Sequence, residues 1–285
     1  MSALKNKIDF AVIISVKNAN PNGDPLNGNR PRENYDGYGE ISDVCIKRKI
    51  RNRLQDMNKE IFVQSDERRT DGFRSLKDRA DGCQELKKLI KDKEKYAEYA
   101  CSKWFDVRSF GQVFAFKAGE DNSVSIGIRG PVSVHSGVSA SPIEISSMQI
   151  TKSVNGETGK DPDKKSADTM GMKHRVDFGV YVIYGSINTQ LASKTGFSEE
   201  DSELIKEALK TLFENDCSSA RPDGSMEVHK LYWWKHNCEI GQYSSAKIHR
   251  SLKIKAKVDV PKCINDYSIY TDDLDGLEPI VYEGI

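Results

Sequence analysis

Lys47-Arg48-Lys49-Ile50-Arg51-Asn52-Arg53 packs five positive charges into seven residues. In a helix, Lys47 and Arg51 lie four apart and share one face. Upstream, Asn18-Ala19-Asn20-Pro21-Asn22-Gly23-Asp24-Pro25 runs on to Asn27-Gly28-Asn29-Arg30-Pro31-Arg32. Such residues tolerate positive φ or break strand pairing, so the stretch reads as turns. A turn-rich loop carrying Arg30 and Arg32, beside a helix presenting Lys47, Arg48 and Arg51, is a plausible phosphate cradle. Loop N–H groups, a helix N-terminus and guanidinium forks all bind phosphate oxygens. The competing reading is a solvated helix face, and the residues alone leave both open.

Catalysis has less to stand on. The sequence contains no GxxxxGK[ST], GxSxG, HExxH or GxGxxG. The five histidines (135, 174, 229, 236 and 249) are scattered. His229 and His236 lie seven apart on an expected strand, hence on opposite faces. Asp43, Asp106 and Asp177 are not grouped by spacing. None of the six cysteines (45, 83, 101, 217, 238 and 263) forms a CxxC pair, so a structural zinc site is not expected. Neither an enzyme nor a bound cofactor or metal is expected.

The elements that must position the cradle are readable in outline. Residues 8–16 are β-branched and apolar, as a buried strand is. Ser42 offers an N-cap for the basic helix. Residues 84–101 read as one amphipathic helix, and 104–114 as an aromatic segment returning to the core. Within it, Arg108-Ser109-Phe110-Gly111-Gln112-Val113-Phe114 faintly echoes the aromatic strand of RNA-recognition domains. It lacks that motif's second glycine, so Phe110 and Phe114 read as core. Strands at 143–151 and 174–187 flank a Gly-, Asp-, Pro- and Lys-rich tip, which predicts a long β-hairpin. Met148 and Met170 flank it, and a soft thioether can wedge beside a base, although packing is the default. Ser198 caps a helix over 198–213, and 228–234 is a further strand. The interleaving lacks a regular βαβ rhythm, so the fold class is α+β with an antiparallel sheet.

The 285 residues suffice for one large domain or two small ones. Basic and acidic residues balance at 43 each, which argues against a surface that coats nucleic acid everywhere and leaves room for a local groove. No segment is long and apolar enough to span a bilayer, and the N-terminus does not read as a signal peptide. A cytoplasmic protein is therefore expected.

Eight segments in order carry a resemblance: NPNGDP, ISDVCIKRKIRNR, WFDVRSFGQVFA, IRGPVSV, SMQITKS, MGMKHRVDFGVYV, TGFSEED and LFENDCSSARPDGSM. Together they resemble the type I-C CRISPR-associated backbone protein of Cascade (the Cas-seven family, Csd-two branch), across most of residues 9–236. The resemblance implies a modified RNA-recognition (ferredoxin-like) palm from 1–59, 108–141 and 174–285. It also implies a helical fingers insertion at 60–107 and a β-hairpin thumb at 142–173. Copies would stack head to tail along a guide CRISPR RNA in an antiviral defence complex with other Cascade subunits. The guide, not the protein, would then pair with target DNA.

Carried onto this chain, the resemblance implies RNA contacts from Asn20, Asn22, Arg30 and Arg32 in the loop, and from Ser42, Lys47, Arg48 and Arg51 on the helix. Met148, Gln149, Met170 and Lys173 would lie near a displaced nucleotide. Arg108, Phe110 and the Gly130-Pro131 turn would shape the groove floor. Type III relatives cut RNA with a thumb aspartate, which raises a second reading through Asp161, Asp163 or Asp168 and a metal.

Overall fold

The computed structural model describes residues 3–116, 124–151, 153 and 170–285. In chain order it begins with β1 (Ile8–Ala19), the two-residue strands β2 (Gly23–Asp24) and β3 (Arg30–Pro31), β4 (Tyr38–Ile41) and α1 (Asp43–Asp56). There follow α2 (Leu76–Gly82), α3 (Gln84–Lys88), α4 (Lys93–Lys103), α5 (Phe105–Phe110), β5 (Gly111–Phe116) and β6 (Val124–Arg129). Next come β7 (Val132–Val134), β8 (Gly137–Pro142), β9 (Ile145–Thr151) and β10 (Met170–Ile187). The chain ends with α6 (Thr189–Thr195), α7 (Glu199–Lys210), β11 (Met226–Lys235), α8 (Ser245–Ser251), β12 (Leu252–Ala256), β13 (Tyr267–Thr271) and β14 (Ile280–Glu283).

The main sheet runs β14-β11-β1-β10-β8-β4, with β7 and β9 also pairing to β10, and every pairing is antiparallel. β1 lies at its centre and is buried on both faces. Phe10, Val12, Ile14 and Val16 point into the larger core, beneath α1 and α7. Ala11 and Ile13 point the other way, into a second layer with Ile248, Leu252 and Tyr267 of the C-terminal segment. The period-2 alternation of a strand makes this division. Gly185 is required where β10 crosses Phe10, because a Cβ there would run into the Phe10 ring. That ring in turn stacks on Trp233.

A third cluster stands apart. Phe62, Leu86, Tyr96, Trp104, Val107, Phe114 and Ile126 pack together, so the insertion has its own core. It takes in the β5–β6 pair. Gly111 makes the break: its φ of 79° lets the chain turn from α5 into β5. A Cβ there would strike the backbone of residues 128 and 130.

Several local expectations are corrected. The helix expected over 84–101 is split, because Asp92 accepts a hydrogen bond from the Lys95 N–H and starts a new helix. The stretch read as turns between β1 and α1 also contains the β2–β3 pair and β4. His229 and His236 reach the same face of the sheet. Ile13 pairs with Lys230 and Ile14 with Val228, so His229 is the extra residue of a bulge and the alternation slips by one. The helix read at 198–213 forms as α7, with Ser198 and Asp201 making the reciprocal capping box.

Candidate nucleic-acid interface

The turn-rich loop is folded onto the start of α1 by its own amides. Asn22 Oδ1 accepts from the Ser42 N–H and the Ser42 hydroxyl, both at 2.9 Å. Ser42 Oγ in turn accepts from the Cys45 N–H and caps α1. Asn20 donates through Nδ2 to the Asn29 carbonyl at 2.6 Å. Arg32 reaches Asp24 at 3.3 Å. Arg30 donates to Ser147 Oγ at 3.0 Å, and Ser147 Oγ lies 2.7 Å from His174 Nδ1. This bridge ties the loop to the root of the β9–β10 hairpin.

The basic run on α1 is spent largely on internal partners. Lys47 pairs with Asp43 on the same helix at 3.0 Å. Arg48 donates to the Val63 carbonyl at 2.7 Å; its pKa is lowered, first by burial and then by the Arg51 charge. Lys49 is buried against Asp216, and burial is the main cause of its lowered pKa. Arg51 donates to Asp106 at 2.9 Å and lies over the Phe110 ring. Arg53 reaches Thr211 and Glu214. Amphipathic spacing alone suggested a free basic face; the partners of Lys49, Arg51 and Arg53 come from distant segments.

Arg108 is likewise turned inward. It makes a two-pronged bond to Asp201, both contacts at 2.9 Å, and donates to the Cys101 carbonyl. It thereby joins the insertion to α7. Phe114 is buried in the insertion core, and Phe110 packs against the main one.

The hairpin projects beyond the sheet, and its register sorts the expected contacts. Lys173 pairs with Met148 and Gly171 with Ile150; Met172 pairs with Gln149 and Met170 with Thr151. Directly paired residues share a face. Met148 and Lys173 therefore lie on one face, and Gln149, Met170, Met172 and His174 on the other. Gln149 Nε2 lies 3.4 Å from Met170 Sδ. Met148 and Ile150 are exposed on the first face, and Met170 and Met172 on the second. Asp161, Asp163 and Asp168 lie outside the described residues. Among the described residues no cluster of His, Cys, Asp and Glu is arranged to hold a metal ion, and no helix is long and apolar enough to cross a membrane.

Sequence reasoning assigned no role to the segment between α7 and β11. Its Ala220 carbonyl accepts from the Asn20 N–H at 2.9 Å, and its Ser225 carbonyl accepts from the Lys17 N–H at 2.8 Å. The only signal was the turn chemistry of Ala220-Arg221-Pro222-Asp223-Gly224.

A family model described as CRISPR-associated protein Cas7 matches residues 6–272. A curated relative, a CRISPR-associated protein Cas7 from Haloferax volcanii, is 27% identical over 309 aligned positions, covering 96% of this chain and 86% of the relative. Among solved structures, a chain of a "CRISPR RNA-guided surveillance complex, pre-nicking" aligns with a TM-score of 0.49 at 15% identity, covering 84% of this chain and 81% of that one. A chain of a "CRISPR RNA-guided surveillance complex" aligns at 0.43 and 12% identity, covering 80% and 68%.

Proposed function

This chain belongs to the CRISPR-associated Cas7 family, whose model spans residues 6–272, and from that premise we propose that it is the guide-RNA-binding backbone subunit of a type I-C Cascade complex. The observation that carries this reading is the Arg30–Ser147–His174 bridge. It joins the turn-rich loop and the root of a projecting hairpin into one continuous surface. A strand of RNA lying along it would meet cations first and exposed thioethers next. Backbone phosphates suit the first, and an unstacked base suits the second.

In this reading the main sheet is the palm. The order β11-β1-β10-β8, with α1 and α7 on one face, is that of a ferredoxin-like unit. The insertion with its own core is the fingers, and β9–β10 is the thumb. RNA-recognition modules bind RNA by stacking bases on the open face of the sheet. Here α8, β12 and β13 cover that face, which favours a path over the loop and hairpin instead. Asn20, Asn22 and Ser42 shape the loop, while Arg30, Arg32, Lys47 and Lys173 supply charge. Arg48, Arg51 and Arg108 hold the groove walls through their internal bonds. Gln149 and Met170 meet the displaced nucleotide on one hairpin face, and Met148 belongs to the other.

The subunit is non-catalytic and cytoplasmic in this account. It repeats head to tail along the guide with other Cascade subunits, and target DNA is read by the guide. An Arg30→Ala/Arg32→Ala double variant is expected to bind labelled guide RNA more weakly. The slope of log K against log salt should be shallower by about 1.4, since each single-strand phosphate contact contributes about 0.7. Anisotropy titrations across a salt series measure this. An unchanged slope would place the phosphate path elsewhere.

A further inference from the structure

We propose that the segment between α7 and β11 forms a phosphate-binding site against the 20–32 loop, with Arg221 as its cation and an RNA backbone phosphodiester as its ligand. This rests on the RNA-binding reading above and assigns a site to a segment given no role there.

Three observations converge. Asp216 receives both Lys49, which is 4% exposed, and Arg221, whose Nε lies 3.2 Å away. One carboxylate is thus shared by two cations, and neither has another carboxylate partner among the described residues. Arg221 makes no other side-chain bond among the described residues, so its two Nη groups keep their donors. A guanidinium held at Nε, with its Nη groups still to be paired and its side chain 28% exposed, is suited to two oxygens of a phosphate.

The mount is rigid. Ser218 and Arg221 exchange two backbone hydrogen bonds, at 2.8 and 3.0 Å. The Ser218 hydroxyl accepts a further contact from the Arg221 N–H at 3.2 Å. The backbone bonds to Asn20 and Lys17 then fix the turn beside the loop. Charge placed on so stiff a support loses little conformational freedom when a ligand arrives.

The junction also holds polar atoms that the protein leaves unpaired. Arg32 Nε, Ser225 Oγ and Asn20 Oδ1 are buried without partners. Since Asn20 Nδ2 is engaged by Asn29, its amide cannot simply flip to satisfy Oδ1. Buried polar groups are normally satisfied, and a cluster of exceptions points to a ligand or water that completes it. The Cys45 thiol lies beside the same loop, 3.7 Å from the Pro21 carbonyl. Burial pushes its pKa up, while the charges of Lys49, Arg221, Asp216 and Arg32 all act on it.

The test compares wild type, Arg221→Ala and Arg221→Lys in RNA-binding titrations across a salt series, with melting temperatures recorded. For Arg221→Ala the account expects about tenfold weaker binding and a salt slope shallower by about 0.7. Arg221→Lys should keep the slope, because the charge remains, and lose part of the affinity, because the fork is gone. If Arg221→Ala melts lower, Arg221→Gln, which keeps a donor for Asp216, carries the same slope comparison. Wild-type slope in the neutral variants would overturn the site. If those variants keep the slope while Arg30→Ala/Arg32→Ala loses it, only this site falls. If wild type binds no RNA, the backbone reading falls and takes the site with it.

Discussion

Asp106→Ala is expected to lower stability by about 3–5 kcal/mol, the cost of stripping one partner from a buried ion pair. Asp106 is 1% exposed. Its Oδ1 accepts from the Phe62 N–H at 2.7 Å; its Oδ2 accepts from the Val63 N–H at 3.1 Å and from Arg51 Nε at 2.9 Å. Alanine would leave two backbone donors and a guanidinium without an acceptor, at the seam between the main core and the insertion. Urea unfolding of the purified protein reads the loss. The double change Arg51→Met/Asp106→Leu should recover only the ion-pair share of it, because no charge is then left unpaired while the Phe62 and Val63 N–H groups still lack their acceptor. A loss below about 1 kcal/mol for Asp106→Ala would contradict the keystone role. The same geometry means that weak RNA binding by Arg51→Ala would report a damaged fold before it reported a lost phosphate contact.

Acid should undock the C-terminal cover from the sheet. Asp9, with no exposure, accepts from His236 Nε2 at 2.8 Å and pairs with Lys7 at 2.9 Å. Lys7 also reaches Ser245, the first residue of α8. Burial pushes the Asp9 pKa up, but hydrogen bonds from His236, Ser245 and Lys7 and the Lys7 charge outweigh it, so the carboxyl titrates below 3.8. His249 stacks on Tyr184 and lies against the Gly185 carbonyl. Its pKa is held below 6.5, chiefly by burial, with His135 and Lys7 adding repulsion and Gly185 and Asp9 opposing. His229, also half-buried, is depressed from 6.5 for the same leading reason.

All three shifts have one sign. A folded pKa below the unfolded value means that the unfolded chain takes up the proton first, so stability falls as pH falls. The histidine contributions are complete above pH 6.5 and drain below it. The Asp9 contribution is complete above 3.8 and is lost as pH drops through its folded pKa. Denaturation midpoints should therefore be flat just above neutrality and decline steadily below it. His249→Gln should make the first part of that decline shallower. A midpoint that rises on acidification would contradict this arrangement.

How much of this was legible depended on whether the deciding contacts were local. β1, β10, β11 and α7 announced themselves through β-branched runs and an N-cap, since a strand or helix core face is written in neighbouring residues. The hairpin was legible from two strands around a turn-rich tip, although the faces of Met148 and Met170 required the register. The fate of the basic helix was not legible. Its partners Asp106 and Asp216 lie 55 and 167 residues away, and no periodicity reports such pairings. The slip at His229 was equally hidden, because a bulge leaves the composition of a strand unchanged. Arg221 sat within a recognised motif, and only the bond that the Asn20 N–H donates to the Ala220 carbonyl brought it to the loop.

The most direct test of the central claim is the mass of particles formed with guide RNAs of increasing length, measured by mass photometry alongside an unrelated RNA of matched length. A backbone subunit predicts bound mass that rises in whole-chain steps as the RNA lengthens, with little dependence on its sequence. One copy bound at every length, or no binding even with partner subunits supplied, would contradict it.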